Sequence, residues 1–378
     1  MNASSPGRGY LWLSCSLLVL VLSAAFRTER AEAIPVFAHR YGLTCQTCHS
    51  VVPRLNSYGQ AFLERGYRLP GLPQKGTFPV SLRTEFAYSS QSGGDEGGGP
   101  LPKVIVDEVE LLSGASLSPR FSYWAEQYIV DGGFPGQTRD AYLQYWATDP
   151  AKHVPILIRG GQFTLPLPLD PETFRETTDH YAIWDQTAGF NPFNFFAPKM
   201  GAEAIIGNQS AGTSASIALL QGHEPQSGIP SHGLDRMLYV QHAMGDWTFS
   251  AYRYEGTRVI DDTWDHFWRQ GYGLIFQRKK VEVDGVYQIG NDSSADIFGD
   301  SLISSGGFVQ FRYGFSNRFF GIARWDATYG AQFLRAWTGG FGYGVTKNSR
   351  LTVFDSIQFN EDLGRYIHVP SASLLIAF

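Results

Sequence analysis

A two-residue apolar period recurs through most of this chain and restricts the fold more than any other feature. Between Lys280 and Ile289, Val281, Val283, Gly285, Tyr287 and Ile289 fall on one face, and Glu282, Asp284 and Gln288 on the other. Ala215, Ile217 and Leu219 oppose Ser214 and Ser216. Leu351, Val353, Ile357 and Phe359 oppose Thr352, Ser356 and Gln358, with Asp355 as an exception. Successive side chains of a strand point to opposite faces, so each stretch has an apolar and a polar side. No apolar run after residue 26 reaches the roughly 18 residues of a spanning helix. The 42 Gly, 27 Phe, 19 Tyr and 9 Trp, against 17% charged residues, suit a strand-rich chain with many turns. The net charge of −5 argues against nucleic-acid binding, which calls for a basic surface.

Alternation alone fits either a soluble barrel with its apolar face inside or a membrane barrel with that face outside. Connection lengths favour the second. Sixteen strand-like stretches lie near 79–89, 103–115, 120–130, 138–148, 154–165, 199–208, 212–221, 235–244, 246–255, 266–278, 280–290, 305–314, 317–326, 332–343, 350–359 and 366–378. Short connections (Ser118-Pro119, 209–211, Gly245, Lys279, Ser316) alternate with long ones near 90–102, 166–198, 222–234, 256–265 and 291–304. Short periplasmic turns and longer outer loops are the outer-membrane pattern. The terminal Leu374-Leu375-Ile376-Ala377-Phe378 resembles the assembly signal of such barrels. The expected fold class is all-β, a transmembrane barrel of about sixteen strands over 79–378.

The long connections hold Asp95, Glu96, Asp170, Glu172, Glu176, Asp179, Asp185, Glu224, Asp261, Asp262, Asp265, Asp292, Asp296, Asp300, Glu361 and Asp362. They suggest an acidic rim that would concentrate cations. The short turns hold Arg120, Lys152, Lys279, Arg318 and Lys347. The 166–198 connection is too long to be structureless, so it is expected to enter the lumen and touch the N-terminal segment.

Residues 1–33 read as a signal peptide: Arg8, the apolar stretch Leu11 to Phe26, and a small-x-small site at Ala31-Glu32-Ala33. Cys15 would leave with it, so Cys45 and Cys48 are the cysteines of the mature chain. With His49 they form C-x-x-C-H, the attachment pattern of c-type haem. On one helical turn the two thiols can each add to a vinyl group while the imidazole binds iron as proximal ligand. A thioredoxin-like pair needs a βαβ context that is missing, and a zinc site needs two more Cys or His nearby. Residues 34–78 are therefore expected to be a small α-helical segment with one covalent haem c on Cys45, Cys48 and His49, and no catalytic residues. Such a short segment leans on its haem, and on the rest of the chain, for a core. No Met lies between residues 34 and 80, which leaves His39, Met200, Met237 and Met244, or an open site, for the sixth position. Asp261, Asp262, Asp265 and His266 form a further candidate metal group, for which a polar loop is the simpler reading.

The flanks of the motif carry a resemblance. Phe37-Ala38, Gly42, Cys45, Cys48, His49, Pro53, Leu55-Asn56, Gly59, Phe62 and Gly66-Tyr67 resemble the N-terminal segment of fused cytochrome–porin proteins of bacterial outer membranes, a group that includes outer-membrane iron oxidases. The likeness covers about 35 residues and rests beyond them on architecture. It implies electron transfer across the outer membrane, with extracellular Fe(II) or another redox partner as donor and a periplasmic c-type cytochrome or similar carrier as acceptor. The same parts would serve outward transfer, a diffusion porin with a haem sensing or gating segment, or a soluble periplasmic all-β protein with a cytochrome tag.

Overall fold

The computed structural model describes residues 36–69, 79–89, 103–148, 154–171, 176–177, 181–207, 212–222, 233–260, 262–296, 298–330, 333–360 and 364–377. The signal-peptide stretch 1–33 and the terminal Phe378 lie outside them. A two-stranded ribbon comes first, β1 (His49–Val51) and β2 (Arg54–Leu55). Sixteen strands then close into an antiparallel barrel. They are β3 (Val80–Ser89), β4 (Lys103–Ser116), β5 (Phe121–Asp131), β7 (Thr138–Trp146), β8 (Ile156–Phe163), β9 (Lys199–Gly207), β10 (Thr213–Gln221), β11 (Leu234–Met244), β12 (Trp247–Ile260), β13 (Thr263–Arg278), β14 (Val281–Asp292), β15 (Leu302–Gly314), β16 (Phe319–Tyr329), β17 (Leu334–Gly344), β18 (Ser349–Asn360) and β19 (Arg365–Ala377). A two-residue piece, β6 (Phe134–Pro135), extends the β5 hairpin. The wall closes where β19 meets β3, with Ser371 opposite Ser89 and Ala377 opposite Arg83.

Every stretch with a two-residue period is a wall strand, and the polarity is that of a barrel in lipid. Ile217, Tyr287 and Val353 point outward and are more than half exposed, while Ser216, Glu282, Asp284 and Thr352 point inward and are buried. No described helix is long and apolar enough to cross a membrane. Aromatic side chains gather at two levels of the outer wall. Trp247 against Phe276, and Phe319 against Phe315 and Phe341, lie toward the short turns. Phe359, between Phe333 and Tyr366, lies toward the other end. Asp355, the exception in its strand, faces outward and accepts from His368 Nδ1 on β19 at 2.8 Å.

Two expectations about connections need correction. The loop expected at 256–265 is strand: β12 and β13 pair without a break up to Ile260 opposite Thr263, and Asp262 turns with φ 63°. The loop expected at 291–304 shrinks because β14 runs to Asp292 and β15 starts at Leu302. Both hairpin ends read as loop in sequence because they carry polar groups on both faces, Thr257 and Arg258 in one and Asn291 and Asp292 in the other.

Part of the lumen is filled by chain. Leu165, Leu167 and Leu169, alternating with Pro166 and Pro168, lead the β8–β9 connection inward, and all three leucines are buried. The wall yields to this spur at Gly273, where a Cβ would stand 2.3 Å from Pro168 Cβ. Farther along, Phe193 inserts between Tyr254 (4.3 Å between centroids) and Phe267 (5.0 Å). The expectation that this connection enters the lumen is met.

The outward face gives a test. Val353→Arg in protein folded into lipid vesicles should cost roughly 2–4 kcal/mol in urea unfolding, the depth-dependent cost of arginine on a lipid face. A water-exposed position would change by less than about 0.5 kcal/mol.

Candidate functional site

Residues 36–69 fold inside the barrel wall at its short-turn end, with helices α1 (Val36–Tyr41), α2 (Cys45–Cys48) and α3 (Ser57–Glu64) around the β1–β2 ribbon. Cys45 and Cys48 sit one turn apart on α2 and are not joined by a disulfide. The helix ends at Cys48. His49 is extended (φ −119°, ψ 140°) because it enters the ribbon opposite Leu55. The motif is thus a helical turn for the thiols with the imidazole just past its end, a correction to the single-turn expectation.

His49 Nδ1 lies 2.8 Å from the Pro53 carbonyl. A carbonyl only accepts, so Nδ1 carries the proton and Nε2 keeps its lone pair for a metal. Burial holds the imidazole pKa below its ordinary value, so the ring is neutral, the form that ligates iron. Burial, helped by the neighbouring Cys45, pushes the Cys48 thiol up to about 11.

Asn56 fixes this turn against α3. Its Nδ2 donates to the Thr47 carbonyl at 3.2 Å and the Gln46 carbonyl at 3.3 Å, its backbone N–H donates to the Cys48 carbonyl at 2.9 Å, and its Oδ1 caps α3 through Gly59 N–H at 2.9 Å. Gly59 lets the two pieces touch, since a Cβ there would stand 2.2 Å from Cys48 O. The small core is aromatic. Phe37 stacks on Tyr67 at 5.1 Å and meets Phe62 edge-on at 5.0 Å, and Tyr41 Oη donates to the Tyr67 carbonyl at 2.7 Å. Phe37, Phe62, Tyr67, Asn56 and Gly59 are among the residues that carried the resemblance.

Four attachments hold the segment in the barrel. Tyr67 stacks on Trp124 of β5 at 5.5 Å, and its hydroxyl lies 3.3 Å from that of Tyr142 on β7. Val51 packs with Phe320, Ile322 and Phe354 on the far wall. Arg68 donates to the Phe121 carbonyl at 2.9 Å and to Ser116 Oγ at 2.6 Å at the β4–β5 turn. Arg54, buried, bridges the lumen: it donates to Glu176 Oε2 of the inward connection at 2.8 Å and to Glu282 on β14. Arg312 also reaches Glu176 Oε2, at 2.7 Å. Burial pushes the Glu176 carboxyl up, but Arg54, Arg312 and Arg350 outweigh it, so its pKa lies below the ordinary value. The inward connection therefore touches the N-terminal segment, as its length suggested. Sequence reasoning missed Arg54, Glu176 and Trp124 as anchors. The one available signal was Arg54 beside the motif, without a local partner.

Other candidates fare differently. Met200 and Met244 stand exposed on the outer wall, away from the segment. Met237 is packed in the core that fills the lumen. The His39 side chain and Asp261 lie outside the described residues. Asp265 is buried inward, bound by Asn191 Nδ2 at 2.8 Å, while His266 points outward, so strand alternation separates that pair. Among the described residues no three His, Cys, Asp or Glu side chains gather as a metal site. The acidic rim is also thinner than expected. Glu176, Asp265 and Asp292 are buried within the barrel, Asp292 on Arg269 at 2.8 Å, whereas Asp262 and Asp300 are exposed. Asp95, Glu96, Glu172, Asp179, Glu224, Glu361 and Asp362 lie outside the described residues. Between α3 and the wall, at the short-turn end, a cavity of about 770 Å³ runs in to Pro166 and Asp170.

No family model and no curated protein matches the chain. Solved structures do. The anion-selective porin from Comamonas acidovorans superposes with a TM-score of 0.63 at 11% identity, covering 79% of this chain and 99% of its own. The fold is that of a porin. The outer-membrane channel DcaP of Acinetobacter baumannii (TM-score 0.57, 12% identity, 82% and 100% coverage) and OmpF of Salmonella typhi (0.57, 12%, 79% and 97%) share this porin fold. Within it, the motif residues suit a c-type haem chemically: two unbridged thiols one turn apart, then a neutral imidazole whose Nε2 is left for iron.

Arg54→Gln should release the segment. Removing one partner of a buried ion pair costs about 3–5 kcal/mol. Limited proteolysis of the folded barrel should cut within 36–69 at least tenfold faster, by the rule that about 1.4 kcal/mol is a factor of ten. Arg54→Lys, which keeps the charge but loses the fork, should fall between.

Proposed function

We propose that this chain is a bacterial outer-membrane barrel whose lumen holds a mono-haem cytochrome segment, and that it moves electrons between the two sides of the membrane. The carrying observation is Cys45, Cys48 and a tautomer-fixed His49 on a segment clamped inside a porin wall. Cys45 and Cys48 would hold the group covalently, and His49 would supply a nitrogen ligand to its iron. Once bound, a c-type haem supplies a one-electron centre between extracellular Fe(II) and a periplasmic c-type cytochrome or similar carrier. The chain's own residues do the rest. Asn56 and Gly59 fix the attachment turn, Arg54 ties it to wall and inward connection, and the aromatic filling around Phe193 keeps bulk water out of the lumen's upper part. The resemblance to cytochrome–porin fusions supports this orientation, with the short turns and the segment on the periplasmic side.

The mature protein should retain a peroxidase-active haem stain after denaturing electrophoresis. Cys48→Ala should weaken the stain, the Cys45→Ala, Cys48→Ala double variant should abolish it, and His49→Ala should change the iron's spectrum. Normal stain in the double variant would refute covalent attachment.

A second reading is a diffusion porin gated by the segment. It is favoured by the porin fold and by the cavity of about 770 Å³ that opens at the short-turn end. Proteoliposomes separate the two. For the electron carrier, Fe(II) added outside reduces the haem within seconds and ion conductance stays low in both redox states. For the gate, conductance changes with redox state while external Fe(II) leaves the haem oxidised. Transfer in the outward direction would show as oxidation of the reduced haem by an external acceptor.

A further inference from the structure

A carboxylate stands on the outer wall at the level of the lipid chains. Asp355 points outward from β18 and accepts through Oδ2 from His368 Nδ1 of β19 at 2.8 Å. The two aromatic levels fix its height. Four positions before it, Leu351 lies opposite Tyr343 near the short turns. Four positions after it, Phe359 lies opposite Tyr366 at the other level. Asp355 is thus midway in an apolar band about 25 Å tall. Its side chain is 43% exposed and that of His368 56%, so the barrel itself does not cover the pair. Asp355 Oδ1 accepts from no described residue. Hydrocarbon offers it no donor, and ionisable groups at this depth are costly. The flanking residues are compact. Gly339 lies across from Asp355 on β17, Pro370 lies across on β19, and Ala372 follows. A Cβ at Gly339 would meet only Ile322 O, at 4.0 Å, so contacts within the chain do not call for a glycine there. Small residues on a lipid face let a second backbone come close.

We propose that the patch of Asp355, His368, Gly339 and Pro370 is where a second copy of this chain packs, wall to wall, about a twofold axis normal to the membrane. The patch complements itself, as a twofold contact requires. An imidazolium has two N–H donors and a carboxylate two acceptor oxygens. Within one chain His368 and Asp355 spend one of each on one another. A copy turned about the axis brings the partner subunit's His368 to the open Asp355 Oδ1, and the same contact forms in the other direction. Two carboxylates and two imidazoliums then close a ring of zero net charge between the walls, out of reach of lipid. The contact is independent of the haem reading, which concerns the lumen.

The test uses the full-length protein taken up in native-lipid nanodiscs, where mass photometry should find two copies. The Asp355→Leu, His368→Leu double variant should shift the population to single copies, with a dissociation constant raised roughly tenfold by the lost polar contacts. Urea unfolding checks that this variant still folds, since its new side chains suit an outward face. Exchanging the pair, Asp355→His with His368→Asp, should restore the dimer. In outer membranes, oxidation should link two chains of Ala372→Cys above the wild-type background. Ile217→Cys, outward on β10 away from the patch, should stay at background. A wild-type mass of one copy would overturn the proposal, and a mass of three or more would overturn the twofold contact. A folded double leucine variant that dimerises as wild type does, or equal linking at both cysteines, would also sink it. The haem stain should be unchanged in every variant, so its loss from wild type would end the haem reading alone.

Discussion

The Arg54 guanidinium is where three parts of the chain depend on one another. It comes from the N-terminal segment, meets Glu176 of the inward connection, and meets Glu282 of the wall. A guanidinium taken out of water is costly unless its donors are met. The two carboxylates are buried as well, so each member needs the others. Arg312 adds a second cation on Glu176, so charge balances across the group rather than pair by pair. What results is register: the segment has one seat in the lumen, and the attachment turn has one orientation within it.

That seat exists because the wall is inverted relative to a soluble protein. Its apolar side chains face outward, so the inward face is polar and cannot collapse on itself. It must be filled by water or by chain that brings matching groups. Here chain does much of it, with aromatic rings at one level, around Phe193 and Trp184, and ionic and ribbon contacts at another, around Arg54 and Val51. The same wall in other porins can enclose different contents, so the fold alone does not specify the chemistry.

Much of this was legible in the sequence because it is written locally. Strand alternation needs only neighbours, and all sixteen stretches emerged as wall strands. The thiols and the imidazole were named by their spacing alone. What stayed hidden is written at long range. The tall β12–β13 hairpin reads as loop because Arg258 and Asp265 face inward while Thr257 and His266 face outward, so polar groups on both faces interrupt the two-residue period around Val259 and Trp264. Glu176, Asp265 and Asp292 read as an acidic rim because their partners, Arg54, Asn191 and Arg269, lie 23 to 122 positions away. The placing of His49 beyond the helix rather than on it follows from a pairing with Leu55 that spacing does not reveal.

The seam between β19 and β3 has a mechanical side. It is joined by seven residue pairs, where β18 and β19 share twelve. Its strand β3 is also the first to follow the segment, with residues 70–78 as the only covalent link, and it carries a bulge at Glu85/Phe86. Once the contacts to Tyr142 and Trp124 and the Arg54 ion pairs have given way, force that draws the segment toward the short-turn mouth passes along the chain to β3, and so to the zip that keeps the cylinder shut. Extraction of the plug and opening of the wall are therefore coupled loads, and the anchors on Tyr142, Trp124 and Arg54 shield the seam by taking the strain before it does.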